Sequence, residues 1–191
     1  MKVGLFFGSF NPIHIGHLII ANYIIENTDL TTVWFVVTPQ NPFKNKSTLL
    51  KDHYRLEMVN VAIEKYPNFK SSSIEFTLPK PSYTIDTLVI LKEKYPSYEF
   101  ALLMGEDNLN TFHKWKNYDQ ILKYHSLFVY PRIDVIQKET AIVHPHIHKI
   151  SAPIIEISST LIRTMIKEHK NVRPMLPPEV FNYIDGSNLY K

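Results

Sequence analysis

Short apolar runs alternate along this chain with stretches in which apolar residues recur every three or four positions. The runs 3–7 and 32–37 are nearly continuous in hydrophobicity, which predicts strands covered on both faces, as in a parallel sheet. From Ile15 to Ile25, between these runs, the apolar positions follow helical spacing. A strand, a helix and a second strand of these lengths predict a βαβ unit.

The remainder of the chain continues this alternation. We expect strands at residues 72–76, 100–104, 126–130 and 154–157, and helices over residues 50–66, 84–94, 118–124, 158–166 and 179–184. Residues 133–149 predict only a loop and a short strand. The order predicts an α/β fold with a Rossmann-like parallel sheet flanked by helices, formed by a single domain over residues 1–191.

Composition narrows the class of protein. The 191 residues are 45% hydrophobic and carry a formal net charge of +3, with basic residues spread along the chain, so we expect no nucleic-acid partner. The absence of cysteine excludes disulfides, thiolate metal sites and cysteine nucleophiles. No apolar run reaches ~18 residues and the first strand begins at the N-terminus, so we expect a cytoplasmic protein without a membrane partner. The oligomeric state is not indicated.

The segment between the first strand and the first helix carries the clearest chemistry. Gly8 and Ser9 permit a tight turn whose backbone N–H groups, with that of Phe10, can approach a ligand closely. A helix start offers free N–H donors and a partial positive charge, which suits phosphate. His14 and His17 are three residues apart and can therefore face the same anion. A pair of capping or packing histidines, or a two-histidine metal site, are the alternatives.

The spacing His-x-Gly-His behind Gly-Ser-Phe-Asn-Pro resembles the signature of the nucleotidyltransferase superfamily that transfers AMP or CMP to a phosphate acceptor. Asn11 stands where the usual form has Asp, and both residues make the same local side-chain bonds. The resemblance implies that His14 and His17 stabilise the reacting phosphorus. It also implies that the backbone of residues 8–10 holds the phosphates.

The segment 81–88, Pro-Ser-Tyr-Thr-Ile-Asp-Thr-Leu, is similar to a motif of the nicotinate mononucleotide adenylyltransferases. At the predicted helix start, Thr84 offers an N–H group and a hydroxyl to an anion such as a pyridine carboxylate. An ordinary helix cap, with Asp86 serving the helix dipole, is the alternative.

The run 105–115 also resembles that family. Gly105 follows a buried strand and permits close approach of a nucleotide, and Asp107 can accept hydrogen bonds from ribose hydroxyls. Trp115 offers a face on which a pyridine ring can stack, unless it is an ordinary core aromatic residue.

The segment 157–163, Ile-Ser-Ser-Thr-Leu-Ile-Arg, matches the superfamily's carboxyl-terminal motif and predicts a second strand-to-helix junction. Ile157 and Ser158 would contact ATP there, and Arg163 would contact the outer phosphates through its planar guanidinium. Arg132, which follows Tyr130-Pro131 at another strand end, is a candidate phosphate or substrate contact.

The polar loop after the second strand contains Lys44, which matches the family's loop lysine and can reach ATP phosphates, although a solvated lysine is the alternative. Phe43 replaces the family's histidine, and Lys46 is a weaker candidate. Arg55 fits the family's Arg-x-x-Met or serves as a structural ion-pair partner.

Three alternating histidines, His144, His146 and His148, would share a face of an extended chain and could bind a metal. Exposed loop histidines are the alternative.

Taken together, the resemblance implies transfer of AMP from ATP to nicotinate mononucleotide, giving deamido-NAD and pyrophosphate. The implied catalytic residues are His14, His17, Lys44 and Arg163, with Mg²⁺ held mainly by the phosphates of ATP and no metal site of the protein's own. An adenylyltransferase acting on nicotinamide mononucleotide or phosphopantetheine, and a nucleotide sensor without turnover, are the alternatives.

Overall fold

A computed structural model describes residues 1–39, 49–132 and 142–191. Its centre is a six-stranded sheet in the order β3-β2-β1-β4-β5-β6, and every neighbouring pair of strands is parallel. The strands are β1 (Lys2–Gly8), β2 (Thr32–Val37), β3 (Phe69–Ser72), β4 (Glu99–Gly105), β5 (Leu127–Tyr130) and β6 (Ile147–Lys149). The expectation of a Rossmann-like parallel sheet is confirmed.

Helices cover both faces of this sheet. They are α1 (Ile15–Asn27), α2 (Asp52–Ile63), α3 (Thr84–Lys94), α4 (Glu106–Leu109), α5 (Tyr118–Tyr124), α6 (Ser159–Lys167) and α7 (Pro178–Gly186), with 3₁₀ turns at Ile74–Thr77, Phe112–Lys114 and Arg173–Met175. No helix in these described ranges is long and apolar enough to cross a membrane.

The continuous hydrophobicity of the central strands follows from burial on both sides. In β2, Phe35 packs into a core with residues of α1, α2, α6 and α7, whereas Trp34 and Val36 pack into a second core with α3 and α5. Successive side chains of a strand point to opposite faces, so both sets must be apolar.

From β1 the chain adds β2 and β3 on one side of the sheet and then β4, β5 and β6 on the other, and this switch point positions the site. β1 lies between β2 and β4. Because β1 leads into α1 on one face and β4 leads to α5 on the other, the chain leaves the carboxyl ends of β1 and β4 toward opposite sides. Ligands of open α/β sheets bind in the crevice that such a switch point creates.

Two of the expected strands are wrong. The strand lies at Phe69–Ser72, where it pairs with β2, and the apolar alternation of residues 74–76 belongs to a 3₁₀ turn. Residues 154–157 form no strand, although all four are described. Their alternation is real, since Ile155 and Ile157 are half-buried against the core, but the segment has no neighbouring strand with which to pair.

Candidate active site

A cleft of about 600 Å³ opens at the carboxyl edge of the sheet, beside the switch point between β1 and β4. Gly105 is not part of its lining, and Lys44 lies outside the described residues, as does Lys46. The other twelve predicted site residues all line the cleft: Gly8, Ser9, Phe10, His14, His17, Thr84, Asp107, Trp115, Arg132, Ile157, Ser158 and Arg163.

The turn after β1 is held by the protein through its carbonyl groups. Arg55 donates to the carbonyl of Ser9 at 2.6 Å, Arg163 donates to that of Asn11 at 2.8 Å, and the hydroxyl of Ser159 donates to that of Pro12 at 2.8 Å. Since these oxygens are occupied by the scaffold, the turn is fixed without presenting them to an anionic ligand.

The residue that turns the chain is Phe10, with a φ of 44° in the left-handed region, rather than Gly8 or Ser9. Gly8 is needed for space instead, because a Cβ there would lie 2.7 Å from the Phe10 ring. A non-glycine residue in this region persists only where its surroundings enforce it, and Phe10 is 1% exposed in the core.

Arg55 is a structural residue in this arrangement. Its side chain is fully buried and, besides Ser9, donates to the carbonyls of Thr38 at 2.8 Å and Leu50 at 3.0 Å. It also pairs with Asp52 at 2.6 Å. Of the two interpretations of Arg55 in the sequence, the structure therefore favours the ion-pair partner.

The two histidines lie together at the start of α1. Their ring centroids are 3.8 Å apart, and both rings line the cleft. Burial, with a smaller effect of Arg132, lowers the pKa of His14 to about 4, so this ring is neutral at pH 7. Gly16 makes room for it, because a Cβ there would lie 3.0 Å from His14 Nδ1.

The ring of His17 is oriented by its neighbours. The backbone N–H of His14 donates to His17 Nδ1 at 3.2 Å, which assigns the proton of the neutral ring to Nε2. The ring meets those of Phe6 and Phe10 edge to face, at centroid distances of 5.8 and 5.1 Å. His17 is therefore arranged to donate from Nε2.

The second predicted junction meets the first. The hydroxyl of Ser158 caps α6 by accepting from the N–H of Leu161 at 3.1 Å, as the sequence predicts. From the first turns of α6, Ser159 and Arg163 then bind the carbonyls of the turn after β1. Arg163 also donates to the Thr160 hydroxyl at 3.3 Å. The motifs at 8–17 and 157–163 thus form one unit.

The far wall of the cleft is built from α3 and the segment after α4. Thr84 is the first residue of α3, and Trp115 packs against Phe112 with ring centroids 5.2 Å apart. Lys116 joins the two parts, because its Nζ lies 3.0 and 2.9 Å from the carboxylate oxygens of Asp86 and 4.9 Å from the centroid of the Tyr83 ring.

Asp107 and Arg132 face each other at the ends of β4 and β5. The Nε of Arg132 is 3.8 Å from Asp107 Oδ1, and both side chains are more than a third exposed. Gly105 lies beneath them, where a Cβ would collide with the carboxylate of Asp107 and crowd Arg132. This weak, open pair can rearrange around a ligand.

Comparisons with known proteins agree with this geometry. A family model described as Cytidylyltransferase-like matches residues 5–165. A protein of Flavobacterium psychrophilum named "Probable nicotinate-nucleotide adenylyltransferase" is 60% identical over the full length of both chains, and one of the same name from Christiangramia forsetii is 56% identical over 100% of this chain and 98% of its own.

This chain belongs to the nicotinate-nucleotide adenylyltransferase family. A solved structure, Plasmodium falciparum nicotinic acid mononucleotide adenylyltransferase complexed with NaAD, has the same fold, with a TM-score of 0.83 over 99% of this chain and 97% of that chain at 21% identity. The family motifs at residues 8–17, 81–88, 105–115 and 157–163 all contribute residues to the cleft, whereas the loop of Lys44 lies outside the described residues.

One buried residue of the cleft wall, Glu75, was not predicted from the sequence. Glu75 lies in the wall of the cleft, is 2% exposed and accepts from the hydroxyls of Ser82 at 3.0 Å and Thr87 at 2.8 Å. Burial raises its pKa, which these hydrogen bonds oppose. It braces the segment that presents Thr84. The alternation of residues 74–76 suggested a strand and concealed this role.

The three alternating histidines do not form a metal site. His146 Nδ1 lies 2.6 Å from the carbonyl of Leu122, whereas the ring of His148 packs on that of Phe128 at 5.2 Å. His144 lies beside His146, where its Nδ1 accepts from the His146 backbone N–H at 3.2 Å. In the described parts of the chain, no group of three or more His, Cys, Asp or Glu residues could hold a metal ion.

Proposed function

We propose that this chain transfers AMP from ATP to nicotinate mononucleotide, forming deamido-NAD and pyrophosphate. Its family and the relatives of that name support the proposal. The observation that carries it is the pair His14 and His17, held 3.8 Å apart at a helix start and facing a cleft whose far wall offers Thr84 and Trp115.

The reaction needs positioning and charge stabilisation more than it needs a base. The phosphate of nicotinate mononucleotide is already an anion and can attack the α-phosphorus of ATP directly, which breaks the bond to the β-phosphate oxygen and releases pyrophosphate. Negative charge spreads over the α-phosphoryl oxygens as this happens. Preorganised donors aimed at that charge lower the barrier.

The two histidines would serve as those donors. His17 would donate from Nε2, since Nδ1 accepts from the His14 backbone N–H. His14 acts as a neutral donor, because burial lowers its pKa to about 4. Arg163 lines the same cleft and would draw charge toward the departing pyrophosphate. The corresponding role of Lys44 stays a prediction, as this residue lies outside the described range.

The other wall would select the acceptor. The N-terminus of α3 at Thr84 offers backbone N–H groups to the pyridine carboxylate, and Trp115 offers a face for stacking. Asp107 is exposed at the end of β4 and would accept hydrogen bonds from ribose hydroxyls.

Mg²⁺ is proposed as the metal, held mainly by phosphate oxygens of ATP. Mg²⁺ prefers oxygen ligands and is commonly held through substrate phosphates, with few side chains of the protein. When bound, Mg²⁺ neutralises charge on the phosphates.

One assay tests the proposal against its alternatives. Pyrophosphate release is measured with ATP and, separately, nicotinate mononucleotide, nicotinamide mononucleotide and phosphopantetheine. We expect the highest kcat/KM with nicotinate mononucleotide. Preference for either other acceptor would assign a different adenylyltransferase activity, and ATP binding without release from any acceptor would indicate a nucleotide sensor. Action in the cytoplasm and the absence of a nucleic-acid partner stay predictions of the sequence.

A further inference from the structure

The C-terminal end of the chain reaches back to the turn that carries the histidines. After α7, Leu189 is buried in the core, and the hydroxyl of the next residue, Tyr190, donates to Asn11 Oδ1 at 2.7 Å. Tyr190 and Asn11 are 179 positions apart in the sequence, and Tyr190 is its penultimate residue.

Asn11 is a closely held part of that turn. It is 3% exposed, and its Oδ1 also accepts from the backbone N–H of Leu50 at 3.4 Å, while its carbonyl accepts from Arg163. Two donors on Oδ1 fix the orientation of the amide. An aspartate has the same acceptor oxygen, so the Asn in place of the family's usual Asp leaves this contact possible.

The tail adopts an unfavourable backbone to make the contact. Tyr190 has a φ of 67° and Asn188 a φ of 53°, both in the left-handed region that residues with a Cβ rarely occupy. Such conformations persist when surrounding contacts enforce them, and they concentrate at functional sites. Here the contacts are the buried Leu189 side chain and the hydrogen bond of Tyr190 to Asn11.

The phenol remains a donor at neutral pH. Burial raises the pKa of Tyr190, an effect that the nearby cations of Arg163 and Arg55 oppose. Both arginines also bind carbonyls of the turn, at Asn11 and Ser9. The tail therefore joins the same set of contacts that fixes the turn.

We propose that Tyr190 is a positioning residue of the active site: its bond to Asn11 holds the turn after β1 in the shape that receives the phosphates of ATP. The acceptor wall at Thr84 and Trp115 lies on other elements and does not depend on the tail. ATP binding, and not acceptor binding, is then coupled to docking of the C-terminus. This inference rests on the proposed function.

The test compares Tyr190→Phe with Tyr124→Phe, a control in which the tyrosine is 66% exposed and lies outside the cleft. Tyr190→Phe removes the hydroxyl that donates to the buried Oδ1 of Asn11. We expect this loss to raise the Kd and KM for ATP roughly 3- to 10-fold. The KM for nicotinate mononucleotide is expected to stay unchanged, as are all parameters of the control. A loss of kcat with both KM values unchanged would mean only that less protein is folded, and would overturn the proposal.

Two further measurements do not require turnover. Calorimetry with ATP alone, and amide hydrogen exchange of the peptide covering residues 8–14, are compared between the wild type and Tyr190→Phe. We expect weaker ATP binding and faster exchange in the variant. If the wild type releases no pyrophosphate, the proposed function fails, while these measurements still test whether Tyr190 positions the turn. Unchanged exchange and unchanged ATP binding would refute this role of Tyr190 even in an active enzyme.

Variants of Asn11 give a rescue test. Asn11→Asp keeps the acceptor oxygen and is expected to retain the ATP affinity of the wild type, with Tyr190→Phe still weakening it. Asn11→Ala removes the acceptor, and adding Tyr190→Phe to it is expected to have no further effect on the Kd for ATP. Additive losses in the double variant would contradict the proposal. Should Asn11→Ala fail to fold, the Asp variant and a chain ending at Leu189 carry the test.

Discussion

The two ends of the cleft are built in different ways. At the phosphate end, the turn after β1 is bound by Arg55, Arg163, Ser159 and Tyr190, which come from α2, α6 and the C-terminal tail. At the acceptor end, α3 and the segment of Trp115 are joined at the surface by the pair of Lys116 and Asp86, each of whose side chains is 44% exposed.

This difference matches what each end has to do. Stabilising charge on a reacting phosphorus requires donors fixed before the reaction begins, since reorganising them would cost part of the catalytic effect. Recognising a pyridine ring and its carboxylate requires complementary surfaces, which can form by adjustment when the ligand binds. We therefore expect the loss of a donor to the reacting phosphate to lower kcat, and the loss of a contact that positions the turn to raise the Kd and KM for ATP. Substitutions at the acceptor end should raise the KM for nicotinate mononucleotide.

The largest effect is expected for His17→Ala. Loss of one preorganised donor to the α-phosphoryl group should lower kcat by ~10²–10³ with the fold intact. The measurement is steady-state pyrophosphate release, with circular dichroism as a check of folding. His113→Ala, at an exposed histidine outside the cleft, is the control. A kcat/KM within threefold of the wild type would remove His17 from the mechanism.

The second prediction concerns stability and uses the buried His14. Its folded-state pKa of about 4 lies below the ordinary value of 6.5, so between these pH values the unfolded chain binds a proton that the folded chain does not. The free energy of unfolding should therefore fall as the pH drops from about 6.5 to 4, by an amount on the order of 3 kcal/mol from this residue. Above pH 6.5 the residue has no such effect.

Urea unfolding at a series of pH values checks this. His14→Gln should reduce the slope of the free energy of unfolding against pH by the contribution of up to one bound proton. The control His113→Gln should leave this slope unchanged. His125 has a pKa lowered by burial and contributes in the same direction to all three proteins, so it cancels in the comparison. Equal slopes in the wild type and His14→Gln would show that His14 is not held neutral.

The sequence predicted the parts of this architecture that depend on local pattern. Helices α3 and α5 begin and end where the spacing placed them. Twelve predicted site residues meet at one cleft, and most of them belong to motifs that follow β1, β4 or β5, whose carboxyl ends lie at one edge of the parallel sheet. The function each motif serves stays a prediction.

The contacts that fix the site could not be predicted in this way. Arg55 meets Ser9 across 46 positions and Tyr190 meets Asn11 across 179, and neither pair has a local pattern. Glu75 was not predicted because its alternation with the apolar residues on either side is typical of a strand, which would place the glutamate on the polar face. In the 3₁₀ turn the glutamate is buried instead. Residues 154–157 show the converse, since alternation indicates a strand only where a neighbouring strand is present.

At the acceptor end, Trp115→Ala should raise the Kd for nicotinate mononucleotide by about tenfold, the value expected for losing an aromatic stacking partner. The Kd for ATP should stay nearly the same. Calorimetry with each ligand separately measures both, and Trp115→Phe, which keeps a ring, should fall between the two proteins. Equal weakening of both ligands would show that Trp115 supports the cleft as a whole, through its packing on Phe112.

The smallest effect is expected for Lys116→Ala. Its ion pair with Asp86 is exposed, and pairs of this kind contribute about 0.2–1 kcal/mol, which corresponds to at most a few-fold rise in the KM for nicotinate mononucleotide. The rise should shrink at high salt, and the KM for ATP should not change. Lys123→Ala, at an exposed lysine of α5, is the control. A rise above tenfold, or an equal rise in the KM for ATP, would contradict the contrast between a fixed phosphate end and an acceptor end that is joined at the surface.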